Sequence, residues 1–368
     1  MIDHFFDIRN FGADPNNADN TVTIQSTINA CQTAGGGTVY VPPGEFLLES
    51  VLITDNVTLL GEGAYCSFLK SLDSENDVVM LSGVGNRIAN LGFKSQVQRT
   101  GGAYVRFLPS SSGSSIDHFL MEGAYIGVHT QGFATLYVEH GAIRFSSTHP
   151  GGAGVLVDGG QDHYINHLTM NNEPEQQPTS GIHIQATGNV NIADVDIIHC
   201  GIDLLITGGF AVYVRDSYFD TAGIGIHLKA LSPIQRCHFI GCWTAGHTGH
   251  GVLLDGSSPS SIDSIDLIGH HSFANNGDGI HTGKGNHVKI QSSTCAQNVS
   301  AVGVGALARH VQILGNRFGT TELPGNAYGI FLVEGCDYVI ISDNDLTGNV
   351  EAALAGTAPH LIWCGNLV

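Results

Sequence analysis

Histidine recurs in this sequence at the third position of a short repeated phrase. The phrase is a glycine, an apolar residue, a variable residue and a further small or apolar residue, as in Gly279-Ile280-His281-Thr282. Imidazole and carboxylate groups can exchange protons near neutral pH. We therefore expect the variable positions to form a working surface. These positions are His129, Leu156, His183, Asp203, His227, Leu253, His281 and Phe331.

Two carboxylates and a group of histidines are candidates for catalysis. Cleavage of a glycosidic bond uses two carboxyl groups, about 5–5.5 Å apart for retention and about 6.5–9.5 Å apart for inversion. Asp278 with Asp203 or Asp220 could supply such a pair, and nearby histidines could tune protonation or bind hydroxyl groups. The alternative is that these residues are only the polar surface that a soluble protein needs. The candidate catalytic residues are Asp278, Asp203, His227, His250, His281 and Asp220.

A second group of residues is expected to bind substrate. Long loops on a rigid scaffold often carry recognition, and inserts interrupt the repeat at 98–114, at 171–180 and after Cys237. The histidines and Lys229, the basic residue beside His227, are candidates because of where they lie in the repeat. The candidate binding residues are His183, Trp243, His247, Lys229, Glu173 and Glu175.

Cys237 and Cys242, with three histidines nearby, raise the question of a metal site. Their spacing fits no standard zinc pattern, and a cysteine inside a strand is commonly a small buried apolar residue. The eight cysteines are scattered through the chain and do not form a dense disulfide framework. The sequence therefore predicts no metal and no other cofactor.

The repeated phrase must be positioned by stacked strands. Its copies lie roughly 20–30 residues apart, which is typical of a solenoid. In a strand, alternate side chains face opposite sides, so the variable residue points outward. Stacked coils lie about 4.8 Å apart, which would make Asp203 a neighbour of His227. His250 and Asp278 both precede the glycine of a copy and should also be neighbours. The recurring Asp194, Asp216, Asn316 and Asn344 are interpreted as turn formers.

The charge of the chain limits its partners. It carries 33 acidic and 14 basic residues, a formal net charge of −19 over 368 residues. Nucleic acid and anionic membrane surfaces require a basic footprint, and the sequence shows none. A neutral or weakly charged ligand is the easier partner.

The N-terminal segment differs from the repeats. Val22, Ile24, Ile28 and Cys31 form a one-sided apolar stripe that predicts an amphipathic helix over 21–34, ended by Gly35-Gly36-Gly37. Such a helix could cover the first open coil, whose strand edges would otherwise invite aggregation. The sequence predicts a strand and helix cap over 1–55 and about a dozen coils over 56–368.

This segment also carries a resemblance to a known family. Phe11-Gly12-Ala13-Asp14, the run from Gly35 to Gly44, and Asn56-Val57-Thr58-Leu59-Leu60-Gly61-Glu62-Gly63 resemble the start of the pectate-lyase-like superfamily, which includes phage tailspike depolymerases and alginate epimerases. The resemblance implies an all-β, right-handed single-stranded parallel β-helix and contact with carbohydrate. The tailspike resemblance also implies a possible homotrimer. The Asp-Pro-His-Glu signature of the epimerases is absent.

These observations leave three functions open. The first hypothesis is hydrolysis of a cell-surface or extracellular polysaccharide. The alternatives are a non-catalytic glycan-binding or structural fibre, and a polysaccharide lyase or epimerase-like enzyme. The first residues, Met1 to His4, show no signal peptide, so we expect secretion by another route or a place on a virus particle.

Overall fold

The computed structural model describes residues 4–145, 149–185, 187–258, 260–319 and 325–368. The chain is all-β and forms a right-handed parallel β-helix of about 12 turns, which confirms the predicted fold class. It divides into two compact units, residues 1–182 and 183–368. Residues 1–3, on which the expectation of no signal peptide partly rests, lie outside the described residues.

The first unit begins with a 3-10 helix over Ile8–Phe11 and one α-helix, α1 (Thr21–Thr33). Its strands are β1 (Phe5–Asp7), β2 (Gly37–Val41), β3 (Gly44–Leu48), β4 (Val51–Thr54), β5 (Val57–Gly61), β6 (Ser67–Ser71), β7 (Val79–Ser82), β8 (Arg87–Ala89), β9 (Gly92–Ser95), β10 (Ala103–Phe107), β11 (Ser112–Glu122), β12 (Ile126–Thr130), β13 (Ala134–Arg144), β14 (His149–Val157), β15 (Gln161–Asn171) and β16 (Pro178–Ile184), within which the division falls.

The described residues of the second unit form strands joined by turns and loops, without a helix. They are β17 (Gly188–Ala193), β18 (Asp196–Ile198), β19 (Ile202–Ile206), β20 (Gly209–Arg215), β21 (Tyr218–Asp220), β22 (Ile224–Lys229), β23 (Ile234–Ile240), β24 (Trp243–Ala245), β25 (Val252–Asp255), β26 (Ile262–Ile268), β27 (His271–Phe273), β28 (Ile280–His281), β29 (Asn286–Gln291), β30 (Thr294–Ala296), β31 (Ser300–Val304), β32 (Arg309–Leu314), β33 (Arg317–Phe318), β34 (Tyr328–Leu332), β35 (Asp337–Ser342), β36 (Ala352–Ala355) and β37 (Leu361–Cys364).

Each complete coil of the second unit has a long strand, a short strand and a third strand. In one coil these are β23, β24 and β25, and each pairs in parallel with its equivalent in the next coil. A residue with positive φ separates the long strand from the short one, as at Asp216, Gly241 and Gly269. Glycine and aspartate tolerate that left-handed conformation, which explains why they recur at this corner.

The interior is built from apolar columns. Val288, Val311 and Val339 pair in register, and all three are fully buried. Each coil therefore buries its apolar residues against the coils on either side, which is how a solenoid gains stability.

Asparagines form a second kind of interior column. Asn298 donates through Nδ2 to Asn326 Oδ1 at 3.0 Å, and Asn275 donates through Nδ2 to Asn298 Oδ1 at 2.8 Å. Asn316 donates to Asn344 in the same way at 2.8 Å, and both are buried. The amides thus satisfy one another inside the coil, a role that the interpretation of Asn316 and Asn344 as turn formers missed.

The predicted helix is confirmed as α1, and it lies against the edge of β4. Gln25 accepts from the Leu52 backbone N–H at 2.8 Å and donates to the Leu52 carbonyl at 3.0 Å. The side-chain amide thus replaces a neighbouring strand at that edge. A separate cap over 1–55 stays a prediction.

Helix α1 has 13 residues, fewer than the roughly 20 that a bilayer-spanning helix requires. No other helix within the described ranges could cross a membrane either.

Candidate functional site

Three side chains of the second unit meet where two strands begin. His250 lies just before β25, and Asp278 lies just before β28, which contains His281. β25 and β28 pair with Val252 opposite Ile280, so the two segments lie on neighbouring coils. The expected neighbourhood of His250 and Asp278 is therefore confirmed.

The hydrogen bonds of this cluster give each imidazole a different role. His281 Nδ1 lies 2.7 Å from Asp278 Oδ2, so a neutral His281 donates from Nδ1 and keeps Nε2 as an acceptor. His250 Nδ1 accepts from the Asp278 backbone N–H at 2.9 Å, so a neutral His250 carries its proton on Nε2. The ring centroids lie 5.0 Å apart. The pair thus presents one hydrogen-bond acceptor, His281 Nε2, and one hydrogen-bond donor, His250 Nε2.

The cluster is largely shielded but open to solvent. The side chains of His250, Asp278 and His281 are 29%, 13% and 24% exposed. Burial lowers the pKa of His250, and the neighbouring His281 lowers it further. His250 therefore remains neutral at neutral pH and can donate a hydrogen bond.

Gly303 keeps the cluster open from the next coil. It pairs in register with His281, where a β-carbon would press on the Asp278 carboxylate and lie 2.8 Å from His281 Nδ1. Only glycine fits there without displacing the pair. The repeat holds many glycines, so the sequence did not single out Gly303.

The histidine column is present in part. His227, Leu253 and His281 pair in succession on β22, β25 and β28. His227 is 7% exposed, and its Nε2 lies 3.8 Å from Asp255 Oδ2. Burial lowers the pKa of His227.

Two predicted binding residues lie on strands of the same sheet as His227. His183 lies on β16, with Nε2 3.1 Å from Thr207 Oγ1. Lys229 is exposed at the end of β22, two residues beyond His227.

Asp203 does not occupy the predicted position. β19 pairs with β22 so that Leu205, not Asp203, lies opposite His227, and Leu204 lies opposite Ile226. Asp203 consequently aligns with Gly225. A β-carbon at Gly225 would lie 2.5 Å from the buried His247 Nε2, so this position faces the interior. The expected register was wrong by two residues, because Gly223 and Gly225 both fit the repeated phrase.

Asp203 and His247 lie together inside the coil. Both side chains are fully buried, with Asp203 Oδ2 4.0 Å from His247 Nδ1. Burial raises the pKa of Asp203 well above its usual range and lowers the pKa of His247 to about 4. His247 Nδ1 accepts from the Ala222 backbone N–H at 3.1 Å. Neither side chain faces a space that a polymer could enter.

The remaining candidates lie away from the cluster. Asp220 is on β21 and Trp243 on β24, which belong to the column of short strands. Glu173 and Glu175 are exposed in the loop between β15 and β16 of the first unit. The structure thus brings together His250, Asp278 and His281 among the predicted catalytic residues, and it places His227 two strands away from His281 in the same column.

A metal could bind where the three side chains converge. His250, Asp278 and His281 offer donor atoms within 4.8 Å of one another, and no other such group occurs in the described ranges. Imidazole nitrogen and carboxylate oxygen suit zinc and similar ions. Cys237 and Cys242 are buried, as expected for structural cysteines.

Comparison with known proteins assigns the chain to a family. Residues 5–227 match the model of the family described as rhamnogalacturonase A/epimerase, pectate lyase-like. The chain belongs to this family. The membership confirms the resemblance of its N-terminal segment.

A curated relative of this family member comes from Azotobacter vinelandii. Mannuronan C5-epimerase AlgE3 is 26% identical over 270 residues, which cover 61% of the chain and 14% of the epimerase. The chain thus matches only a small part of that relative's length.

Solved structures show the same fold. The A-module of mannuronan C-5 epimerase AlgE6 from Azotobacter vinelandii has a TM-score of 0.65 at 15% identity and covers 98% of each chain. The Dettilon tailspike protein has a TM-score of 0.69 at 14% identity, covering 96% of this chain and 69% of the tailspike.

Proposed function

We propose that this family member modifies a uronate-containing polysaccharide by removing a proton from a sugar carbon. His281 Nε2 acts as the base, Asp278 orients the ring, and the neutral His250 donates a hydrogen bond through Nε2 to the uronate carboxylate. The observation that carries the proposal is the 2.7 Å contact between Asp278 Oδ2 and His281 Nδ1. A carboxylate on one ring nitrogen fixes the tautomer and leaves the other nitrogen free to accept a proton.

The chemistry starts at C5 of a uronate, whose carboxylate acidifies the attached hydrogen. His281 Nε2 takes that proton, and the electron pair stays on the sugar. In a lyase the pair forms a C4–C5 double bond while the C4–O bond breaks, and the leaving oxygen takes the proton that His281 has just abstracted. In an epimerase water supplies a proton to C5 from the opposite face, and His281 releases the abstracted proton to solvent. The named activity of AlgE3 supports a C5-directed reaction.

Hydrolysis, the first hypothesis from sequence, finds weaker support at this cluster. It requires two carboxyl groups on either side of a glycosidic bond. Asp278 is bonded to His281, and Asp203 is buried in the interior. The cluster therefore contains a single carboxylate, and that carboxylate is already hydrogen-bonded to His281.

The test incubates the chain with poly-mannuronate and with neutral polysaccharides in D₂O. Deuterium at C5 without cleavage reports epimerisation, absorbance of unsaturated ends reports a lyase, and reducing ends alone report hydrolysis. His281→Gln and Asp278→Asn should each lower the rate by about 100-fold or more. His310→Gln, which changes an exposed histidine outside the cluster, should keep the wild-type rate.

Two results would contradict the proposal. Reducing ends formed at the same rate by wild type and His281→Gln would indicate hydrolysis at another place. Binding of a polymer without any turnover would indicate a non-catalytic glycan-binding or fibre protein.

The proposal extends to location and assembly. The fold is shared with a phage tailspike, which supports an extracellular or virion-associated protein that assembles as a homotrimer. Light scattering after size exclusion should give three times the chain mass of 38.7 kDa. A mass of one chain at micromolar concentration would remove the trimer from the proposal.

A further inference from the structure

A group of aromatic rings lies on the column of short strands in the second unit. Tyr218, Trp243 and His271 pair in succession on β21, β24 and β27. The residues that alternate with them, Phe219 and Thr244, are fully buried. The three rings therefore point outward, as the alternation of side chains along a strand requires.

The rings contact one another and remain accessible. Trp243 lies 6.3 Å from Tyr218, 6.0 Å from His271 and 5.0 Å from Phe273, measured between ring centroids. Tyr218 is 56% exposed. We call Tyr218, Trp243, His271 and Phe273 the aromatic face. Large clustered rings at a surface mark a binding site more often than single exposed apolar residues do.

Two carboxyl groups border the aromatic face. Asp196 pairs in register with Tyr218, and Asp220 follows Tyr218 by two residues on the same side of β21. With strands about 4.8 Å apart and about 3.3 Å of rise per residue, the two positions are roughly 8 Å apart. Burial raises the pKa of both groups, and Asp196 raises that of Asp220 further. Neither forms an ion pair with a basic side chain in the described part of the chain.

We propose that the aromatic face, with Asp196 and Asp220, is a binding site for an uncharged pyranose chain. The apolar faces of pyranose rings stack on Tyr218 and Trp243, and the two carboxyl groups accept hydrogen bonds from sugar hydroxyls. A uronate is disfavoured because its carboxylate would approach two acidic groups, and the titratable cation that acts on Asp220 is a single imidazole, that of His199. The site lies on β18, β21, β24 and β27, whereas His250, Asp278 and His281 lie at β25 and β28.

The second unit would then carry two sugar-binding sites on different strands, one for a uronate and one for an uncharged pyranose chain. A neutral segment of a mixed polymer or cell-surface glycan would be held on the aromatic face. The proposal does not rest on proton abstraction at His281, because it concerns binding alone.

The experiment measures retardation of the full chain in gels containing a neutral glucan, a neutral mannan or poly-mannuronate. Wild type should be retarded by a neutral polymer, and Trp243→Ala should weaken that binding at least about tenfold. Trp363→Ala removes the other tryptophan, which is 38% exposed, and should bind as wild type does. His281→Gln should also bind normally, which separates this site from the proposed catalytic one.

Tyr218→Ser is the second variant, since its exposed ring can be removed with little effect on folding.

Three results would overturn the proposal. They are no retardation by either neutral polymer, equal binding by wild type and both aromatic variants, or a change in oligomeric mass in Trp243→Ala, which would show that a second copy covers the face.

Discussion

Two aspartates of the second unit show how surroundings decide the chemistry of a residue. Asp278 is partly exposed and bonded to His281, and its backbone N–H holds His250. Asp203 is fully buried, and burial raises its pKa. The first can orient a base, whereas the second is enclosed and keeps its proton to a higher pH than an exposed aspartate does. Residue type alone gave both the same expected role.

Gly303→Ala should remove activity without unfolding the protein. The added β-carbon would press on the Asp278 carboxylate and lie 2.8 Å from His281 Nδ1, which would break the contact that orients the base. We expect turnover of poly-mannuronate to fall by about 100-fold, a typical cost of misplacing a catalytic group. Gly101→Ala is the matched control, because its nearest neighbour would lie at an ordinary 3.4 Å. Equal rates for both variants would argue against the cluster.

Asp203→Asn should stabilise the protein, and more so as pH rises. The folded pKa of Asp203 is raised, so the folded state keeps a proton that the unfolded state releases. The wild type therefore loses stability as pH rises from the unfolded pKa through the folded one, and asparagine does not. We expect a gain on the order of 1 kcal/mol or more at pH 7 and a smaller gain at pH 4 by urea unfolding. An equal gain at both pH values would contradict this explanation.

Strand register and the interior asparagine column determine how neighbouring coils are arranged. His247 stands one coil before Asn275, and its backbone N–H donates to Asn275 Oδ1 at 3.1 Å. It thus occupies the position that Asn275, Asn298 and Asn326 occupy in later coils. The asparagine column therefore continues through the imidazole of His247, which makes this coil sensitive to acid.

His247→Asn should make the protein more resistant to acid. Burial lowers the pKa of His247 from 6.5 to about 4, so the unfolded state binds a proton that the folded state excludes. Wild-type stability is then lost as pH falls from 6.5 towards 4, by about 3 kcal/mol in total. Thermal unfolding between pH 7 and pH 4 should show a smaller decrease for the variant. Parallel curves for His247→Asn and wild type would disprove this role.

At the scale of the whole molecule, charge opposes the proposed substrate. The net charge of −19 repels a polyuronate, and Lys229 is the basic residue closest to His227 along β22. Repulsion between two anionic polymers slows their encounter, and salt screens it over a Debye length of about 10 Å at 0.1 M.

Raising the salt concentration should therefore speed the reaction. We expect kcat/KM on poly-mannuronate to rise severalfold between about 0.01 and 0.1 M NaCl, where the Debye length falls from about 30 to about 10 Å. A carboxyl-reduced polymer provides the control for the binding step on the aromatic face, whose affinity should change little. A rate that falls with salt would show that local cations, not net charge, govern the encounter.

The sequence by itself determined the fold and part of the site. Repeated glycine phrases and alternating apolar residues specify stacked parallel strands, because a strand has a period of two residues and a solenoid repeats its coil. The helix over 21–34 followed from its apolar stripe, of which Ile24, Ile28 and Cys31 are buried and Val22 is 75% exposed. The meeting of His250 with Asp278 followed from their shared place before a glycine.

Only the tertiary structure decided which polar residues face solvent. Two glycines in the β22 coil allowed two registers, and the choice moved Asp203 from the histidine column to the interior. Gly303 and the ladder role of His247 were likewise hidden, because both depend on contacts with a neighbouring coil. The local pattern determines that alternate residues of a strand face the same side. Packing between coils determines which residue of one strand pairs with which residue of the next, and this register decides which residues are buried.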